Sequence, residues 1–355
     1  MISDTAGRED MKYQGGVYMK AVPIVKETAV IAVSAIYMIS AAPISVYAEK
    51  PDFNVQVHTP PHIVFMGDSI ASGYGLDAYS PDDKTKCASY ANILSKVFDS
   101  ELPEEASFGY DNLAKDGLTS KGLLKKLKDG EMDEYLAEAD AVVISIGGND
   151  LLGPLEGLIE KDIGLGETLD RVLSLEDTLD EHLDTYKQNL PAIVDEIYDR
   201  TKKEDFTLFI QTLYNPLEDF ALTPIANMSK DKIGDLNRII TAESDNDTRF
   251  RVIDVATPFV GRAEELTNIK SYDIHPNSDG HALIAKTARE VIEKETFTYY
   301  DNEAAMQYNI EQEQLRQLEK ERQERRQKII MTGSGAAGVL AISFGAISVF
   351  RKKRH

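Results

Sequence analysis

The chain of 355 residues is longer than an ordinary domain of roughly 100–200 residues but short of two full-sized ones plus linkers, which points to one medium domain with appendages. With 42% hydrophobic and 28% charged residues it can bury a core, and disorder along its whole length is excluded. A net charge of −21, from 39 basic and 60 acidic side chains, argues against a nucleic-acid partner, and the single cysteine, Cys87, excludes an intrachain disulfide or a cysteine-based metal cluster.

In chain order, the first predicted element is an export signal. Met19, Lys20 and Lys26 precede an apolar stretch from Thr28 to Ala48, and Val46-Tyr47-Ala48 sets small or branched residues at the −3 and −1 positions of a signal-peptidase site. Residues 1–48 are therefore expected to be an N-terminal extension and signal peptide. A run of about 20 residues would also suit an uncleaved anchor. Residues 49–61, with Pro51, Pro60 and Pro61, read as a linker.

From 62 to 297 short apolar runs alternate with helical patterns. Ile63–Met66, Ala141–Ile146, Phe206–Ile210 and Phe250–Val255 read as strands of the continuous, fully buried kind, and Phe108–Leu113 as a weaker fifth. Between them Leu179, Leu183, Tyr186, Leu190, Ile193 and Ile197 step by three and four, which keeps one helical face apolar; Pro191 is expected to kink or split that helix. A last helix is predicted over Ser278–Lys294. Strand and helix in alternation predict an α/β domain of three layers, helices on both sides of a mostly parallel sheet.

Residues 298–328 alternate acids and bases, as in Glu321–Arg325 and Glu324–Lys328, and read as a charged stalk helix. Only Leu315 and Leu318 offer a seam, so a solvated helix is favoured over a coiled coil. The 22 residues from Ile329 to Phe350 carry no charge. As a helix they reach about 33 Å, enough for a transmembrane segment, and the basic tail 351–355 assigns its end to the cytoplasm. Together the two ends predict a single-pass protein with its main domain outside the cell. The four-residue stretch Ile330-Met331-Thr332-Gly333 lacks the proline of a wall-sorting signal.

Four strand ends carry polar residues suited to chemistry. The first strand runs into Gly67-Asp68-Ser69-Ile70, where a serine after a glycine turn is placed as a nucleophile, although Gly-Asp-Ser is also an ordinary turn. The next supplies Asn112, Ala114, Gly117 and Thr119; the third supplies Gly147-Gly148-Asn149-Asp150, whose asparagine amide can donate to a developing oxyanion. Asp273-Ile274-His275-Pro276 stands before the last helix, with an imidazole able to act as general base.

These four elements, in this order, resemble the SGNH, or GDSL, hydrolase superfamily of esterases and lipases. The resemblance covers about residues 62–297. It implies a flavodoxin-like α/β fold and hydrolysis of carboxylic esters, with Ser69 as nucleophile, His275 as base, and the Ser69 and Gly117 N–H groups and the Asn149 amide as oxyanion donors. It calls for no cofactor and no metal. The usual pattern has an aspartate three residues before the histidine; here Tyr272 holds that position and Asp273 comes two before. Either Asp273 completes the catalytic set by reaching the imidazole, or a backbone carbonyl orients His275 and Asp273 caps the loop.

Leu151 and Leu152 are candidates for the acyl pocket, with core packing as the alternative. Lipid, small-molecule and acetylated-glycan esters all remain open as substrates, and so does the oligomeric state. The rival to an enzyme is a surface binding or adhesion module that keeps the fold without turnover. Among the remaining candidates, His281 reads as structural, His182 as solvated, and Cys87 as packing. The cluster Glu176, Asp177, Asp180, Glu181 and Asp184 reads as a solvated helix face.

Overall fold

The computed structural model describes the backbone of residues 50–156 and 165–351, with side chains placed for 50–153 and 175–328. The strands are β1 (Asn54–Val57), β2 (His62–Gly67), β3 (Gly109–Asn112), β4 (Ala141–Ser145), β5 (Thr207–Gln211), β6 (Phe250–Ile253) and β7 (Phe297–Tyr300). The helices are α1 (Ser69–Ser72), α2 (Tyr90–Glu101), α3 (Ser120–Lys128), α4 (Asp133–Glu138), α5 (Gly148–Glu156), α6 (Leu165–Tyr198), α7 (Thr223–Asn246), α8 (Ala256–Phe259), α9 (Ala263–Leu266), α10 (Ser278–Ile292) and α11 (Asn302–Arg351).

The five apolar runs form one parallel sheet in the order β3-β2-β4-β5-β6. Val142, Val143 and Ile144 of β4 and Leu208, Phe209 and Ile210 of β5 are fully buried, which is why these strands show no alternation. Burying each such side chain contributes about 1.5–3 kcal/mol. The crossover from β2 to β3 runs one way across the sheet, and those from β3 to β6 run the other. Right-handed connections then put α2 on one face and α3, α6 and α7 on the opposite face. Packing agrees: α2 lies against α10, and α6 touches both α3 and α7. The order reverses at β2, which opens a crevice beyond the carboxyl ends of its neighbours.

Three expectations change. Part of the expected linker is strand β1, paired antiparallel with β7 from Asn54↔Tyr300 to Val57↔Phe297. The stalk begins only at Asn302, because residues 297–300 are used in that pairing. Phe53 packs on Tyr300 and Tyr308, with ring centroids 6.0 and 5.7 Å apart, and ties the ribbon to the base of α11. Second, of the two outcomes expected at Pro191, splitting does not occur, and α6 passes through it as one helix. Third, α7 is a helix of 24 residues that the sequence reading did not anticipate.

Residues 1–48 lie outside the described residues. The apolar stretch 329–350 continues α11, but its side chains are outside the described set. Among the described residues no helix is long and apolar enough to cross a membrane, so the expected transmembrane segment gains no support here.

Candidate active site

β2 ends in a turn that only glycine fits. Gly67 has φ +119°, and a Cβ there would stand 1.8 Å from the Ser145 carbonyl oxygen of β4. The next residue, Asp68, donates its N–H to that carbonyl at 3.0 Å. Its side chain caps α1: Oδ1 accepts the Ile70 N–H at 3.1 Å and the Ser145 hydroxyl at 2.9 Å. Burial pushes the Asp68 carboxyl up to about 6, against these hydrogen bonds. Ser69 thereby becomes the first residue of a helix, where a backbone N–H has no intrahelical acceptor.

The histidine loop answers the spacing question. Tyr272 is held in the left-handed region at φ 62°, which turns Asp273 back onto the chain that follows. Asp273 Oδ1 then accepts the His275 N–H at 3.0 Å, as aspartates do two residues ahead in tight turns, and accepts His275 Nδ1–H at 2.6 Å. The carboxylate two positions away therefore reaches the imidazole, and no backbone carbonyl is needed. Ser69 Oγ donates to His275 Nε2 at 2.9 Å, completing the row. Burial alone would raise the Asp273 carboxyl, but hydrogen bonds from the His275 ring and N–H and from the Asn268 amide bring it below the usual carboxylate range. Gly75, at φ +85°, backs this pair: a Cβ there would lie 3.2 Å from Asp273 Oδ2 and 3.5 Å from the His275 Cβ. The Tyr74 ring covers the imidazole at 4.7 Å between centroids.

Gly117 and Asn149 meet across the same crevice. Gly117 follows β3 and is exposed, and Asn149 lies in the first turn of α5, where one of its amide N–H groups donates to the Leu118 carbonyl at 3.1 Å. Asp150 binds the two motifs together by accepting the Ser120 N–H at 2.9 Å and the Ser120 hydroxyl at 2.6 Å. Burial raises the Asp150 carboxyl despite both bonds. The cleft has a volume of about 210 Å³, and its walls include Ile70, Tyr74, Leu152, Tyr214 and Ile274 beside the polar set. Leu152 lines the cleft while packing into the core. Leu151 does not line it: it is fully buried in the core, because adjacent residues on a helix point about 100° apart.

The other candidates separate cleanly. His281 is fully buried, its Nδ1 accepts the Tyr90 N–H at 3.2 Å, and burial holds its imidazole down at about 3, so it is structural. His182 is not simply solvated: it is half-buried and donates from Nδ1 to the Asp150 carbonyl at 2.7 Å, pinning α6 to α5. Cys87 is buried against α1, its Sγ 3.7 Å from the Ser72 carbonyl. The acidic cluster is exposed as expected, with Asp180 paired to Lys232, and among the described residues no group of ligands could hold a metal ion. Tyr74, Asp116, Asp150 and Tyr214 escaped the sequence reading. Of these, only Asp150 lies inside one of the four motifs, Gly147-Gly148-Asn149-Asp150.

A hydroxyl, an imidazole and a carboxylate in one hydrogen-bonded row form an activated nucleophile, and N–H donors beside it suit a tetrahedral oxyanion. Comparison with known proteins points the same way. The profile of the GDSL-like Lipase/Acylhydrolase family matches residues 65–283. The uncharacterized protein YpmR of Bacillus subtilis (strain 168) is 28% identical over 245 residues, which are 68% of this chain and 85% of that protein. The spore germination lipase LipC of Bacillus licheniformis is 25% identical over 231 residues, 63% of this chain and 92% of its own. Among solved structures, the lipase Lip_vut3 from a goat rumen metagenome has a TM-score of 0.51 at 21% identity, over 64% of this chain and 96% of its own, a likeness of fold.

Proposed function

Because the chain belongs to the GDSL-like lipase/acylhydrolase family, a family of ester-bond hydrolases, we propose that it is a serine esterase that carries its acyl intermediate on Ser69. The observation that carries this reading is the row from Ser69 Oγ to His275 at 2.9 Å and on to Asp273 at 2.6 Å. Ser69 Oγ attacks the ester carbonyl carbon while His275 Nε2 takes its proton. The carbonyl oxygen becomes an oxyanion, received by the N–H groups of Ser69 and Gly117 and the free amide N–H of Asn149. Collapse breaks the ester C–O bond, and the proton on His275 leaves with the alcohol. Water, deprotonated by the same imidazole, then attacks the acyl-enzyme, releasing the acid and restoring Ser69.

The proposed substrates are carboxylic esters of lipid, small-molecule or acetylated-glycan type. The aliphatic and aromatic cleft walls support an acyl chain or acetyl group there, and the lipase among the relatives supports the lipid member of the set. A panel of p-nitrophenyl esters, acetylated sugars and lysophospholipids, run beside a fluorophosphonate label, tests this. At least one ester class should be turned over, and the label should add covalent mass at Ser69 that Ser69→Ala lacks. A protein that takes no label and turns over no ester would instead be a binding or adhesion module.

The proposal places the catalytic domain outside the cell, held by residues 329–350 with Arg351–Arg354 in the cytoplasm. The apolar run, its flanking cations and the continuation of α11 as one helix to Arg351 support it. Protease added to intact cells should release a fragment of the catalytic domain; complete protection until lysis would overturn the topology.

A further inference from the structure

Asp116 lines the cleft one residue before Gly117, yet the reaction scheme leaves its carboxylate without a task. Both oxygens are engaged: Ser72 Oγ donates to Oδ1 and Tyr79 OH donates to Oδ2. The two donors come from different parts of the site. Ser72 is fully buried in α1, three residues after the nucleophile, with its Oγ also 3.0 Å from the Ser69 carbonyl oxygen. Tyr79 closes the loop that carries Tyr74; their rings meet edge to face at 5.5 Å, and Tyr74 covers His275. One side chain thus joins the loop bearing Gly117 to the nucleophile helix and to the cover of the imidazole.

Gly117 has little else to hold it. It is exposed, at φ +72°, and a Cβ built on it would meet nothing within 4 Å. The backbone anchors of the loop lie on either side: Lys115 N–H to the Gly67 carbonyl at 2.9 Å, and Leu118 N–H to the Lys115 carbonyl at 3.1 Å. The N–H that faces an oxyanion belongs to the peptide unit between Asp116 and Gly117. Its direction follows from where the Asp116 Cα is held, and the Asp116 carboxylate ties this turn to α1, four residues beyond the bond from the Asn112 amide to the Ala71 carbonyl at 2.8 Å. Hydrogen bonds from two hydroxyls also disperse the charge of a carboxylate that would otherwise oppose an oxyanion close by.

We propose that Asp116 is a positioning residue of the oxyanion hole, clamping the Gly117 N–H at a set distance from Ser69. The proposal rests on the esterase reading. Displacing such a donor by about 1 Å costs on the order of 100-fold in rate. Asp116→Ala should therefore lower kcat about 10- to 100-fold and change KM less than about threefold, since the donor meets charge that exists mainly in the transition state. Asp116→Asn keeps one acceptor oxygen and offers an N–H to the second hydroxyl, so it should recover most of kcat. Tyr79→Phe cuts one leg at a half-buried position and should fall between them.

Amide exchange of residues 113–119, followed by mass spectrometry in the same full-length proteins, reads the clamp without any turnover. Protection should drop at least about tenfold in Asp116→Ala. Unchanged exchange, unchanged kcat, a loss residing in KM, or an Asn variant as poor as the Ala variant would each overturn the proposal. If Asp116→Ala does not fold, Tyr79→Phe supplies the same exchange and kinetic comparison. A wild-type protein inert toward every ester would sink the esterase reading alone, and the exchange comparison would still decide whether Asp116 holds the loop.

Discussion

Ser69→Ala is expected to lower kcat by about a million-fold on any ester the protein hydrolyses, the size of loss seen when a catalytic serine is removed from a hydrolase of this chemistry. The Oγ atom supplies the bond-forming electron pair. KM should move little, because the walls formed by Ile70, Leu152 and Ile274 remain. The fold should survive: the Ser69 side chain donates to His275, and an alanine methyl fits the same nearly buried space. His275→Ala should cost about as much, and the double variant no more than either single one, since the serine and its base act as one unit. The check is single-turnover kinetics on all three variants with thermal melts alongside. Losses that multiply in the double variant, or residual turnover within about 100-fold of wild type, would mean that the row from Ser69 to Asp273 is not the catalytic apparatus.

Asp273→Asn should cost about four orders of magnitude in kcat at neutral pH. The wild-type carboxylate accepts Nδ1–H, which leaves Nε2 bare to take the serine proton, and it stabilises the imidazolium that results. An amide in its place can donate to Nδ1, which selects the tautomer with its proton on Nε2, where the serine hydroxyl finds no acceptor. The Asp273 carboxyl is held below its ordinary range, because its hydrogen bonds to His275 outweigh burial. A depressed acid stabilises the fold above its unfolded value of about 3.9, and that contribution is lost as pH falls through the lower folded value. In acid melts the wild type should therefore lose, below about pH 4, an increment that the Asn variant never had. Near-normal turnover by a folded Asn variant would remove Asp273 from the catalytic set.

The central strands β2, β4 and β5 were legible because they are buried on both faces, which leaves an apolar run that no alternation disguises, whereas the half-buried edge strand β3 left a weaker signal. Their loops were legible because glycine and polar residues gather where those runs stop. The helix α7 left a comparable trace in Ile225, Ser229, Ile233, Leu236 and Ile240, which are buried at helical spacing, but polar neighbours such as Lys230, Asp231 and Asp235 diluted it. Strand β1 left almost none, since four exposed or half-exposed residues between prolines look like a linker and its partner lies far along the chain. The reach of Asp273 was illegible for a different reason. It depends on a tyrosine in the left-handed region, a backbone state rarely taken by residues other than glycine, asparagine and aspartate. Asp116 had no signature either, because its worth comes from two hydroxyls, on Ser72 and Tyr79, that are brought to it only by the fold.

The pairing of β1 with β7 also orders events in time. A chain made from its N-terminus has Asn54–Val57 in hand early, but the strand that receives them arrives about 240 residues later, after every part of the catalytic sheet. Until then β1 has no partner within this pairing, and the bond from the Asp301 N–H to the Phe53 carbonyl at 2.9 Å cannot form. The ribbon is thus a closing stitch: its second strand is made only after the last strand of the sheet, and Asp301, the residue before α11, is bonded within it. A chain halted before Phe297 would keep Ser69 and His275 and still lack the seam between β1 and β7.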